Sequence, residues 1–279
     1  MKRNMYLLYG RLVCLLLLLG STAWAEPIRI SGTGAAISAV RQVTDAYRRH
    51  HPDVQFQFVL PPVGSSGAIK ALMAQKLDVA LSGRPLKKEE ESAGLVQAWL
   101  GRSPFLFVVQ QNAPVTRIGL SDLAEMYAGR QKFWPDGSRV RVVLRPLADA
   151  DTALLKAISP AMDEAITTAH AQRAPGSALA DTDTDLADMV ARIPGGLGSV
   201  ALTLIVAEQR PLKGLILDGA EPTVAALESN RYPYAKPLFV VTRTDAPAPV
   251  RALLDFLRSV EGKTLLSQLG ISVAPQPTP

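Results

Sequence analysis

Cysteine is almost absent from this chain of 279 residues: Cys14 is the only one. Histidine is nearly as scarce, with His50, His51 and His170, and aromatic residues make up 6%. These shortages exclude several chemistries. A single thiol cannot form a disulfide framework or a tetrahedral thiolate site. His50 and His51 end a helical stretch and His170 lies in a polar one, so none stands at metal-ligand spacing and no metal is expected. Gly64-Ser65-Ser66-Gly67 is not the Gly-x-Ser-x-Gly elbow of a serine hydrolase, and no histidine can be assigned to it as a base. Gly32-Thr33-Gly34 lacks the third glycine of a dinucleotide fingerprint, and the chain has no Gly-Lys-Ser/Thr. The expectation is a protein without catalysis and without cofactors.

Long hydrophobic runs are also missing. The longest apolar stretch near the start, Leu12 to Leu19, is well short of the roughly 20 residues that span a bilayer. Preceded by Lys2, Arg3 and Arg11 and followed by Ala23-Trp24-Ala25, it reads as a cleaved secretory leader over residues 1–25. Cys14 lies within the leader, behind Val13, where a lipid-attachment signal wants a small residue. The excess of 30 Lys and Arg over 25 Asp and Glu shrinks when the three basic residues of the leader are removed. No basic stripe interleaved with aromatics remains, so nucleic acid is not an expected partner. An exported chain without cysteine suits a bacterial periplasm, where a domain of this size relies on its core.

What is present is a strand-helix rhythm punctuated by glycine. Ile28-Arg29-Ile30, Val54 to Leu60, Asp78 to Leu81, Phe105 to Val109 and Arg139 to Leu144 read as strands. So do Val200 to Val206, Leu215 to Leu217 and Pro237 to Val241. Helical spacing follows the first strand through Ile37, Val40, Val43 and Tyr47, and resumes at Ala68 to Gln75 and Thr152 to Ile158. It returns at Ala161 to Ala171, in a stretch capped by Asp183 or Thr184, and at Val250 to Val260 and Gly262 to Leu269. Ser121 and Asp122 look like the cap of a further helix that Gly129 stops. The pattern predicts an α/β protein with mainly parallel sheets. Two glycine-rich turns, Ser31 to Gly34 and Gly64 to Gly67, stand between strand and helix, where unsatisfied N–H groups and the helix dipole favour an anion.

The ordered series Ile30-Ser31-Gly32-Thr33-Gly34, Val63 to Leu72, Leu77 to Leu86, Ile193 to Gly198, Glu221-Pro222-Thr223, Tyr232-Pro233-Tyr234 and Val260 to Lys263 resembles the periplasmic phosphate-binding proteins of ABC transporters. The resemblance implies a two-lobed type II periplasmic binding protein. Each lobe would be a mainly parallel sheet flanked by helices, with two hinge strands joining them and a ligand cleft between. It places one lobe at 26–111 with 236–279 and the other at 112–235. It also implies a monomer that captures phosphate or another small oxyanion and presents its closed form to an ABC permease. Gly34, Ala35, Ser65, Ser66, Gly67, Ser82 and Arg84 would face the ligand from the first lobe, and Arg145, Asp149 and Thr152 from the second.

The departures from that pattern concern the ligand. The hydroxyl expected in the first turn is Ala36, and the acidic residue that accepts a proton from phosphate is Gly83. The Ser-Gly-Thr expected after Arg145 is Asp149-Ala150-Asp151. A carboxylate about 4 Å from a bound anion costs on the order of 4 kcal/mol at an effective dielectric near 20, roughly a thousandfold in affinity. Asp149 or Asp151 can instead cap the helix starting near Thr152, and Arg145 can pair with either. Should both aspartates face the cleft, an amine-bearing or zwitterionic solute suits it better. A second reading keeps the fold as a ligand-sensing or interaction module of the cell envelope, with an envelope sensor as partner.

Overall fold

A computed structural model describes residues 26–172 and 177–276. The expected leader, with Cys14, lies outside them. From the start, the elements are β1 (Ile28–Gly32), α1 (Gly34–His50), β2 (Phe56–Phe58), α2 (Gly64–Met73), β3 (Val79–Ser82), α3 (Lys88–Ser92) and β4 (Leu95–Gln110). Then come β5 (Arg117–Ile118), α4 (Leu120–Tyr127), β6 (Arg141–Leu144), α5 (Ala150–Ala157), α6 (Pro160–Gln172), β7 (Ala178–Leu179) and α7 (Asp183–Arg192). β8 (Gly196–Ala201), α8 (Leu202–Glu208), β9 (Leu212–Gly214), β10 (Ile216–Leu217), α9 (Val224–Glu228), β11 (Ala235–Arg243), α10 (Ala248–Arg258) and α11 (Val260–Gln268) complete the chain. No helix among the described residues is long and apolar enough to cross a membrane.

β4 organises the sheet. Its first part, Leu95 to Pro104, pairs antiparallel with β11, and its continuation, Phe105 to Gln110, pairs with β8 and β9. On the far side of β11 lie β3, β1 and β2, the last three mutually parallel. On the far side of β8 lie β6 and β7, again parallel to each other. The strand order is thus β2-β1-β3-β11-β4-β8-β6-β7. Two lobes follow, joined by the crossing strands β4 and β11. The first packs Ile30, Val40, Val79, Leu81 and Val240 against Leu253 and Leu257 of α10. The second packs Phe107, Leu123, Tyr127, Met162 and Ile166, with Leu186 and Val190 of α7 on the opposite face of its sheet.

Several local expectations are corrected. The apolar run Val200 to Val206 is not one strand: β8 ends at Ala201 and α8 carries the rest. Periodicity cannot separate a buried strand from a buried helix over so short a run. α8 is apolar because it lies between the lobes, where Ala207 packs on the first core and its carbonyl accepts from Gln42 Nε2 at 2.8 Å. The helix expected after Ser121 is capped by Gly119, and α7 is capped by Thr182, not Asp183 or Thr184. That last shift frees Asp183 for a different partner.

Gly101 marks where β4 bends. The register with β11 slips there, with Gly101 opposite Leu238 and Trp99 opposite Phe239. Its φ is +145°, and a Cβ would come 2.5 Å from both Ile271 Cγ2 and Ser272 O. Gly101→Ala is therefore expected to destabilise the fold by more than about 1 kcal/mol. Urea unfolding should show this as a lowered midpoint at unchanged slope.

Candidate functional site

The C-terminal ends of the parallel strands in both lobes converge between them, as is usual for ligand clefts in α/β folds. β1 feeds directly into α1, whose N-cap Thr33 makes no side-chain cap and whose first turn holds no acidic residue. The N–H groups of such a turn need an acceptor. They find one in the other lobe. Asp183 Oδ1 accepts from Gly34 N at 2.9 Å, and Asp183 Oδ2 accepts from Ala35 N at 3.0 Å and from Thr33 Oγ1 at 2.7 Å. Asp183 is also the first residue of α7, which Thr182 and Asp185 hold in a capping box, and Thr184 N donates to Asp183 Oδ1 at 3.1 Å. One carboxylate thus lies at the positive ends of two helix dipoles. A Cβ at Gly34 would meet Asp183 Oδ1 at 2.6 Å, so only glycine allows this approach.

Lys236 closes the arrangement from β11. Its ammonium donates to Asp183 Oδ2 at 3.1 Å and to Asp151 Oδ2 at 3.0 Å, with Asp151 Oδ1 also 2.7 Å away. Lys236, Asp151 and Asp183 are 2%, 1% and 3% exposed. Burial pushes the Asp183 carboxyl up, but Lys236, the Thr33 hydroxyl, the Ala35 N–H and Arg145 outweigh it and hold it far below the usual carboxylate range. Burial likewise opposes the Lys236 charge, and the two aspartates reverse that and raise its pKa. Asp151 behaves differently. Burial, assisted by Asp149 and Asp183 and opposed by Lys236, pushes it up to about 6.

The rest of the second lobe's set is engaged internally. Arg145 Nη2 donates to Asp149 Oδ2 at 2.7 Å and Nη1 to Ala180 O at 2.9 Å. Asp149 caps α5, its Oδ1 accepting from Asp151 N at 2.9 Å. The Thr152 hydroxyl donates to Pro146 O at 2.9 Å. Among the described residues, buried Arg145 Nε and Thr184 Oγ1 have no hydrogen-bond partner.

In the first lobe, Ser65 Oγ accepts from Gly83 N at 2.8 Å, and Ser82 Oγ donates to Arg84 O at 2.6 Å. Arg84 forks onto Glu90 at 2.8 and 2.7 Å and reaches Ser66 Oγ at 3.2 Å. Gly67 packs over Val63. Gly34 and Ala35 therefore meet the second lobe at Asp183, while Arg84 and Ser66 form a separate group with Glu90. The place of the absent acid at Gly83 is taken by lysine: a Cβ there would lie 2.7 Å from Lys236 Cε. Thr33, Asp183 and Lys236 were not among the residues expected to face the ligand. A lone charge heading the apolar run after Tyr234 was a usable signal for Lys236; Asp183, among the acidic and hydroxyl residues of 181–185, looked like a helix cap. Among the described residues, no group of side chains is placed to hold a metal ion.

Because Asp151 holds its proton more tightly folded than unfolded, its contribution to stability falls as pH rises from about 4 to about 6. Asp151→Asn removes that contribution. The melting temperature of the wild type is expected to fall relative to the variant across this window and to run parallel above it, which thermal melts from pH 4 to 8 will check. Lys236→Met strands two buried carboxylates and is expected to destabilise the protein by about 3–5 kcal/mol at pH 7, measurable by chemical denaturation.

The chain is 22% identical over 216 residues to the phosphate-binding protein PstS of Borreliella burgdorferi, covering 74% of this chain and 76% of that one. Its fold matches a substrate-binding protein from Clostridium perfringens, assigned to a phosphate ABC transporter and solved with bound phosphate, at TM-score 0.74 and 19% identity. That match covers 88% of this chain and 98% of the other. An ABC-type phosphate transport receptor from Vibrio cholerae matches at TM-score 0.60 and 20% identity, with the same coverage. The model of the PBP superfamily domain matches residues 20–261. With that match spanning both lobes and the crossing strands, the chain belongs to the PBP superfamily.

Proposed function

We propose that this chain is an exported solute-binding protein of an ABC-type uptake system, taking phosphate or a related small oxyanion between its lobes. The observation that carries the reading is the set of donors around one carboxylate at the start of α1: Gly34 N, Ala35 N, Thr33 Oγ1 and Lys236 Nζ. An oxyanion presents the same acceptor oxygens to the same donors. The names carried by the relatives support phosphate as the first candidate. In this reading the leader delivers the protein to the periplasm, the lobes are 26–111 with 236–279 and 112–235, the monomer closes by a hinge, and a permease receives the closed form. The protein performs no catalysis.

A second reading is favoured by the presence of Asp183 in that seat. The protein then serves as a ligand-sensing or interaction module that presents a closed form to an envelope partner and no longer binds phosphate tightly. Isothermal titration and thermal-shift measurements with phosphate, sulfate and an amine-bearing solute discriminate the two. A solute present at about 100 times its dissociation constant should add about 2.7 kcal/mol of stability. The uptake reading expects heat and a raised melting temperature with an oxyanion. No response to any oxyanion up to millimolar concentration refutes it in favour of the module.

A further inference from the structure

We infer that Asp183 is a built-in ligand of the oxyanion seat, a carboxylate from one lobe that holds the other closed with no solute bound. An incoming oxyanion enters only by displacing it. The inference rests on the reading of the α1 N-terminus as the oxyanion seat.

Three independent features support it. The first is completeness. Both carboxylate oxygens are consumed by donors of the opposite lobe and the crossing strand, and Asp183 is buried. A surface aspartate that happened to lie near the cleft would keep water on at least one oxygen. The second is preparation. α7 is locked by its own capping box, so Asp183 is delivered at a fixed angle, and Gly34 has no side chain to block it. A tethered ligand so positioned competes at a high effective concentration. The third is compensation. The Gly83 position offers room for the Lys236 stem, and Lys236 supplies the cation that balances Asp183 and Asp151. Each charge in the cluster would be stranded without the others.

Contacts beside the clasp point the same way. Ser38 Oγ on α1 bonds Glu208 on α8, and Ala35 packs into the core of the second lobe. Beside the Asp183 contacts, the two lobes therefore meet through matched polar and apolar contacts. A solute-dependent binding protein gains its closing energy from the solute; here Asp183 takes that place.

Small-angle scattering and isothermal titration with inorganic phosphate test this on the purified wild type, Asp183→Ala and Asp183→Asn. The wild type is expected to be compact without phosphate and to show no change in radius of gyration on adding it. Both variants are expected to expand without phosphate. They should contract when it is added and bind it at least tenfold more tightly than the wild type. Variants that expand but bind no phosphate uphold the clasp and refute the oxyanion reading of the seat. Variants as compact as the wild type, with equal or weaker phosphate binding, overturn the clasp. So does a wild-type protein that is expanded alone and contracts with phosphate, a measurement that needs no variant to fold.

Discussion

The structure depends on one buried carboxylate shared between two lobes. Asp183 lies at the start of α1 and of α7 at once, and Lys236 reaches it from a strand that crosses between the lobes. Helix starts carry N–H groups that the helix itself cannot satisfy. A single anion placed between two of them answers both, and the burial that follows makes the anion hard to remove. Much of the surrounding chemistry then follows: a glycine at 34 for the close approach, a threonine at 33 as an extra donor, and a lysine at 236 to balance charge.

The departures from the phosphate-binding pattern become one connected change in this light. The acid expected at position 83 and the lysine at 236 compete for the same space, since a Cβ at Gly83 would already crowd Lys236 Cε. Losing the acid makes room for the cation. The cation makes two buried aspartates tolerable, Asp151 at the start of α5 and Asp183 on α7. Asp149 does separate work, capping α5 and holding Arg145. Asp151 remains the least comfortable member: its burial, with Asp149 and Asp183 nearby, outweighs the attraction of Lys236 and raises its pKa.

Much of the fold is legible in the sequence. The first strand, the helical spacing of Ile37, Val40, Val43 and Tyr47, and the turn at Ser31 to Gly34 stand where expected; Gly64 to Gly67 instead form the first turn of α2, and only Phe56 to Phe58 of the run Val54 to Leu60 is a strand. The run Val200 to Val206 was misread as a strand because a run apolar on every side carries no period. The candidate site was legible in one half. Gly34 and Ala35 stood out because a strand-to-helix turn advertises its free donors locally. Their acceptor did not, being 148 residues away from Ala35 in the chain and disguised as one more aspartate at a helix start.

The sequence by itself determined the α/β rhythm, the donor-rich turn at α1 and the departures from the resembled pattern at Ala36, Gly83 and Asp149-Ala150-Asp151, because each of these is written in residues close together in the chain. Only the tertiary structure decided where the charges go. Whether Asp149, Asp151 and Asp183 face solvent, a cap or a cleft depends on how two lobes meet across crossing strands. Electrostatic partners are chosen by distance in space and by shared burial, and neither is encoded in local spacing.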